Sequence, residues 1–264
     1  MQTPPPLITV VVAVYNAAET LQRCIDSFEQ QTYPNKELIV IDGASSDQSP
    51  EIVRANEAKL AYWESERDRG IYHAWNKAVA RARGEWIAFL GADDVFADDQ
   101  ALASLAEATS AGLDFVWARV AVVAQDGRVR ALSGSPWDWE RMKRTQVVAH
   151  PAGLHRRGLF DEVGPFDERY RIAGDYDFLL RCGARVRAAF VDRVVVRFAD
   201  GGLSSKQRRR LLAEKRLIHA RHPEIGPLRA HLNHALTLGI YAKAGIKKVL
   251  GRVWRPRHDG INLG

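Results

Sequence analysis

The chain has 264 residues, with 38 Lys and Arg against 32 Asp and Glu and a formal net charge of +6. Apolar and charged fractions of 46% and 27% are those of a folded globular protein and exclude a disordered or collagen-like chain. Two cysteines, Cys24 and Cys182, with no CxxC spacing, exclude a disulfide framework or a zinc ribbon and fit a reduced, cytoplasmic setting.

No apolar run reaches the roughly 18 residues of a spanning helix. The opening Met1-Gln2-Thr3-Pro4-Pro5-Pro6 lacks the basic-then-apolar order of a signal peptide. The charge is uneven. Residues 205–257 hold fourteen Lys and Arg against Glu214 and Glu224, a balance of +12, so the rest of the chain carries −6. A basic segment of this kind binds anions.

In chain order, residues 7–14 form a continuous apolar, β-branched run, which predicts a strand buried on both faces. Tyr15-Asn16 turns the chain, and Leu21, Cys24, Ile25 and Phe28 then predict a helix over 18–30. A second strand, 37–41, ends in Asp42-Gly43-Ala44-Ser45-Ser46-Asp47, with Asp47 set to cap a helix over 48–58. A strand at 61–65, a helix at 71–82 and a buried strand at 85–90 follow. The alternation predicts an α/β fold with a mostly parallel, doubly wound sheet flanked by helices.

Beyond it come a helix at 98–108 and a strand at 114–123, whose turn Asp126-Gly127 leads to a hairpin partner at 128–132. Short helices at 156–163 and 174–183 and strands at 186–191 and 193–198 complete a domain of residues 1–204. A basic helical extension, 205–264, has helices at 205–221 and 227–252 separated by Pro223 and Pro227.

Neither a G-x-G-x-x-G nor a phosphate-binding G-x-x-x-x-G-K-[ST] loop is present. Carboxylates recur instead at successive strand ends: Asp42, then Glu66 and Asp68, then Asp93-Asp94. In a parallel sheet these ends open on one crevice, where ligands bind. Acids gathered there suit a hard divalent cation, which one or two carboxylates share with substrate phosphates.

Val14-Tyr15-Asn16, Asp42 to Asp47, Ser65 to Lys77, Gly91-Ala92-Asp93-Asp94, His150 to Arg157, Gly164-Pro165-Phe166-Asp167 and Gly174-Asp175-Tyr176-Asp177-Phe178 resemble family 2 glycosyltransferases. The resemblance runs over residues 7–204 and is closest to bacterial members that build capsule, O-antigen or exopolysaccharide. It implies a GT-A fold and a nucleoside-diphosphate-sugar donor held through Mn2+ or Mg2+. Asp94 is then the metal ligand, Asp93 faces the ribose, Asp42 meets uracil N3–H, and Tyr15, within Val14-Tyr15-Asn16, stacks on the base. Asp68 lines the donor pocket.

His150 suits a hydrogen bond to diphosphate or acceptor, or a structural turn. Asp175 matches the family's catalytic base, and Asp177, two residues on in a helix, points elsewhere. The chain departs from the pattern with Ala13 in place of Pro and with His73-Ala74-Trp75-Asn76 where relatives have Asp-Ala-Met-Asn. Here Trp75 reads as core and His73 as a partly exposed helix residue. Trp137 and Trp139 suit either sugar stacking or burial, and Gly201-Gly202-Leu203-Ser204 resembles a mobile loop.

The expected activity is an inverting, metal-dependent transfer from a nucleotide sugar, with uridine the expected base. The acceptor is a hydroxyl of a surface glycan or lipid-linked glycan. Two rivals remain: an inactive scaffold tethering a glycan-assembly complex at the membrane, and a nucleotidyltransferase that makes the nucleotide sugar. In the tail, Leu236, Ile240, Ile246, Val249, Leu250 and Val253 fall at helical spacings, largely apart from Lys243, Lys247, Lys248 and Arg252. That pattern predicts an anionic membrane surface as partner, with packing on the catalytic domain as the alternative. The expected location is the inner face of the cell membrane, peripherally bound. No nucleic-acid partner is expected.

Overall fold

Val10, Val11 and Val12 are all buried, odd and even positions alike, so both faces of the first strand are covered. In the computed structural model of the chain, residues 4–110, 112–202, 206–237 and 239 are described. The chain divides into two compact units, Met1–Leu211 and Leu212–Gly264.

The first unit opens with β1 (Ile8–Val14), α1 (Ala18–Glu29), β2 (Lys36–Asp42), α2 (Ser49–Ala55), β3 (Tyr62–Ser65), α3 (Ile71–Arg81) and β4 (Trp86–Gly91). Next come β5 (Val95–Phe96), α4 (Ala101–Glu107), β6 (Phe115–Val123), β7 (Val129–Ser133) and α5 (Trp139–Met142). The series ends with β8 (Gly153–Arg156), α6 (Leu159–Val163), α7 (Gly174–Cys182), β9 (Ala188–Ala199) and α8 (Arg208–Arg221).

Among the described residues the strands form one sheet in the order β3-β2-β1-β4-β8-β6-β9-β5, with β7 on β6. The first four are parallel, as the alternating pattern predicts. The second half is mixed. β8 runs antiparallel to both β4 and β6, β5 is antiparallel to β9, and β6 pairs parallel with β9. The predicted hairpin forms, β6 with β7.

Alternate residues of the strands face two cores. Val10, Val12, Val40 and Leu90 join Leu21, Ile25 and Phe28 of α1, Val53 of α2 and Leu102 and Leu105 of α4. On the opposite face Phe89 meets Trp75 of α3, with ring centroids 4.8 Å apart, and Phe166 at 5.2 Å, and Phe166 in turn lies 4.9 Å from Phe178 of α7. Trp75 is a core residue, as read from the sequence.

Two departures have local causes. The helix predicted over 156–163 begins only at Leu159, and Arg156 instead ends β8, because the gap between β4 and β6 takes four residues whose backbone groups need ladder partners. The predicted strands at 186–191 and 193–198 are one, β9, which absorbs the polar Asp192-Arg193 at register shifts against Ala118–Val120.

The second unit contains the last part of α8 and a helix over 226–237. Residues 238 and 240–252 of the predicted 227–252 helix, and Leu203-Ser204 of the Gly201-Gly202 loop, lie outside the described residues. Among the described residues no helix is long and apolar enough to cross a membrane.

Candidate active site

Strand register sets the ends of the parallel strands level. Val14 pairs with Asp42, Asp42 with Ser65, and Ala13 with Gly91. The loops that follow therefore leave the sheet along one edge.

The first two loops are stitched together. Asn16 donates its amide to Ser45 Oγ at 2.8 Å, its side-chain Oδ1 accepts from the Ser46 amide at 2.9 Å, and Gly43 N–H donates to Val14 O at 2.9 Å. Asp47 accepts from the amides of Ala18 and Ser49, both at 2.9 Å, so it ties the start of α1 as well as that of α2. Hydrogen bonding from Ser49, then from the Ala18 amide, holds its carboxyl below the ordinary range. This network holds Asn16 and Ala44 at φ 49° and 59°, a conformation that costs a non-glycine residue about 1–2 kcal/mol. Tyr15 stands out of the corner at 69% exposure, a ring available for stacking.

Asp42 is fully buried and accepts from the Ser45 amide and from the hydroxyls of Ser45 and Ser65. A carboxylate has about four lone-pair sites, and these three donors take most of them. Asp68 lies opposite, since a Cβ on Gly43 would sit 3.4 Å from its Oδ2 and 3.5 Å from the Tyr15 ring. Its other oxygen meets His73 Nδ1 at 2.8 Å and Lys77 Nζ at 3.0 Å. His73 is therefore an Asp68 partner rather than a bystander.

At the end of β4 the two adjacent carboxylates converge. A Cβ on Gly91 would lie 2.7 Å from Asp94 Oδ2 and 2.9 Å from Asp93 Oδ1, so only a residue without a side chain leaves that space open. Asp94 is 1% exposed, and its Oδ1 accepts from the Ala199 amide at 2.9 Å. Burial, and then the charge of Asp93, push its carboxyl up to about 8. Cys24, beneath them, donates to Gly91 O, and burial pushes its thiol up, so it is not a nucleophile.

A divalent cation fits this pair. Hard oxygen ligands face one small space, and a positive charge there would favour the ionised Asp94 that burial and the charge of Asp93 disfavour. Among the described residues no group of three or more His, Cys, Asp or Glu is arranged to hold a metal. Asp94, with Asp93 beside it, would share an ion with ligands from a substrate.

Asp175 lies in the first turn of α7. Its Oδ1 accepts from Tyr72 O–H at 3.1 Å and its Oδ2 from Gln146 Nε2 at 2.7 Å. Both donors are neutral, and burial together with the Asp175 charge pushes the Tyr72 phenol well up. Asp177 is committed elsewhere, to Arg181 at 2.9 Å, and Arg181 also holds Pro165 O.

Val14 and His150 bring no exposed side chain to the edge. Val14 packs in the core, and His150 is 3% exposed, stacked on Trp75 at 5.1 Å and beside His155 at 4.8 Å. Burial alone pushes His150 down to about 3, so it is neutral. Trp137 and Trp139 are half-buried and stacked on each other at 6.3 Å. Ser45, Ser65 and Tyr72 lie inside the matched motifs with no role assigned to them there, and Gln146 and the Ala199 amide lie outside every motif.

A mixed sheet with level parallel strand ends and flanking helices is the architecture of a GT-A fold. The family model "Glycosyl transferase family 2" matches residues 9–157. A PGL/p-HBAD biosynthesis glycosyltransferase of Mycobacterium bovis is 31% identical over 208 residues, covering 76% of this chain and 80% of the relative. The succinoglycan biosynthesis protein ExoO of Rhizobium meliloti is 30% identical over 220 residues, 75% of this chain and 63% of that protein.

Among solved structures, S. aureus TarS 1–349 in complex with UDP-GlcNAc superposes with a TM-score of 0.62 at 20% identity, over 88% of this chain and 71% of that one. The mannosyltransferase PcManGT of Pyrobaculum calidifontis, in complex with GDP-Man and Mn2+, gives 0.64 at 22% identity, over 92% and 76%. Both likenesses concern the fold. The chain belongs to glycosyl transferase family 2 and is a glycosyltransferase.

Proposed function

We propose that the enzyme moves a sugar, with inversion, from a nucleoside-diphosphate donor, UDP-linked, to a hydroxyl of a surface-glycan or lipid-linked glycan acceptor. The observation that carries this reading is the meeting of Asp93 and Asp94 over Gly91, with Asp94 buried and protonated up to about 8. Asp94, with Asp93 beside it, would hold Mn2+ or Mg2+. When bound, the ion supplies Lewis-acid neutralisation of the departing diphosphate.

The chain's own residues do the rest. Tyr15 stacks on the base, Asp42 takes the uracil N3–H, Asp68 borders the donor pocket, and Asp93 turns to the ribose. Asp175 takes the proton of the acceptor hydroxyl as its oxygen bonds to the anomeric carbon and the bond from that carbon to the diphosphate breaks. The basic extension brings the enzyme to an anionic membrane surface at the inner face of the cell membrane.

Thermal shift with a panel of nucleoside diphosphates and nucleotide sugars, with and without Mn2+, tests the donor site. Stabilisation by UDP or a UDP-sugar that needs Mn2+ and vanishes in Asp94→Asn is the expected result. No shift with any nucleotide would overturn the assignment.

A further inference from the structure

The helix over 226–237 faces the opposite way from an ordinary surface helix. Ala230 and Asn233 are buried, whereas Leu228, Leu232 and Leu236 are 77%, 58% and 66% exposed. Three leucines at a four-residue interval lie on one stripe, roughly 80° wide at 100° per residue. A helix that packs by its apolar face buries such a stripe and shows its polar side to water. Here an asparagine is inside and the leucines are outside, and an exposed apolar stripe of this kind is a feature of interaction surfaces.

Charge narrows the occupant. From Gly226 to Gly264 the sequence has Arg229, Lys243, Lys247, Lys248, Arg252, Arg255 and Arg257 against a single acid, Asp259, a balance of +6. A second copy of the chain would bring the same excess positive charge to the contact. A bilayer with acidic headgroups offers both an apolar layer for the leucines and negative charge for the basic side chains. We propose that Leu228, Leu232 and Leu236 form the membrane-inserting face of the second unit. The inference rests on the membrane reading above and is independent of the donor site.

The full chain is tested by co-sedimentation with vesicles of phosphatidylcholine alone and of phosphatidylcholine mixed with phosphatidylglycerol. Wild type is expected to sediment with the mixed vesicles, less so at high salt, and not with the neutral ones. The triple variant L228S/L232S/L236S is expected to lose at least ~10-fold in vesicle affinity. Its unfolding midpoint and its thermal shift with UDP and Mn2+ should match wild type, since the three side chains point outward.

Failure of wild type to bind mixed vesicles overturns the membrane reading and this face together. Retained binding in the triple variant overturns the face alone. A wild-type dimer that the triple variant dissociates assigns the leucines to a second copy and also overturns the proposal. Donor binding is unaffected by any of these outcomes.

Discussion

Gln146 donates its side-chain amide to Asp175 at 2.7 Å, across 29 residues of sequence, and no cation shares that carboxylate among the hydrogen bonds and ion pairs described above. Asp177, on the same helix turn, is locked to Arg181. Two carboxylates two residues apart thus have different chemistry. One is held in an ion pair with an arginine that also binds a loop carbonyl, and the other is held by two neutral donors.

Gln146 and Tyr72 are therefore expected to position the base. A hydrogen bond to a charged group contributes about 1.5–3 kcal/mol, so Gln146→Leu should lower kcat by roughly 10–100-fold. The Michaelis constant for the donor should stay near wild type, because the side-chain hydrogen bond of each is to Asp175. Steady-state kinetics with the donor and acceptor varied separately would check the split. Tyr72→Phe should behave in the same direction, and a rise in donor KM with kcat unchanged would count against the role.

Asp94 makes a pH prediction. Its ordinary value is 3.8, and in the fold it stays protonated up to about 8. Between these values the unfolded chain has lost the proton and the folded chain has kept it. Stability therefore falls as pH rises through that window, by up to ~1.4 kcal/mol per pH unit. Asp94→Asn removes the ionisation. In metal-free protein the variant should be the more stable of the two, with a margin that widens from about pH 5 to about pH 8 in urea titrations, although it is the variant expected to lose transfer. A margin that does not change with pH would show that burial of Asp94 is not costly.

Gly91→Ala tests the shape of the same place. The added methyl would meet Asp94 Oδ2 at 2.7 Å and Asp93 Oδ1 at 2.9 Å, closer than such contacts allow, and buried Asp94 has little room to withdraw. The variant should fold with a loss of about 1–3 kcal/mol and bind Mn2+ about tenfold or more weakly. Titration of Mn2+ in the presence of UDP, followed by thermal shift, reads both effects. Unchanged Mn2+ dependence would remove Asp94 as the metal ligand.

Much of this protein is legible in its sequence. β-branched runs and helical spacings mark the parallel half of the sheet because burial on both faces of a strand, or one face of a helix, is written into neighbouring residues. The same local order puts Asp42, Asp68, Asp93 and Asp94 at strand ends and so at one edge. Tertiary structure decided what the sequence left open. β5 and β8 are too short to announce themselves, and they form because partner strands leave backbone groups to be paired. His150 is buried in an aromatic layer from three segments, and Asp94 takes its raised proton affinity from its own burial and from Asp93. Asp175 and Asp177 look alike in the chain. They part company through Gln146 and Tyr72 on one side and Arg181 on the other, because burial and pairing depend on residues that only folding brings within hydrogen-bond reach.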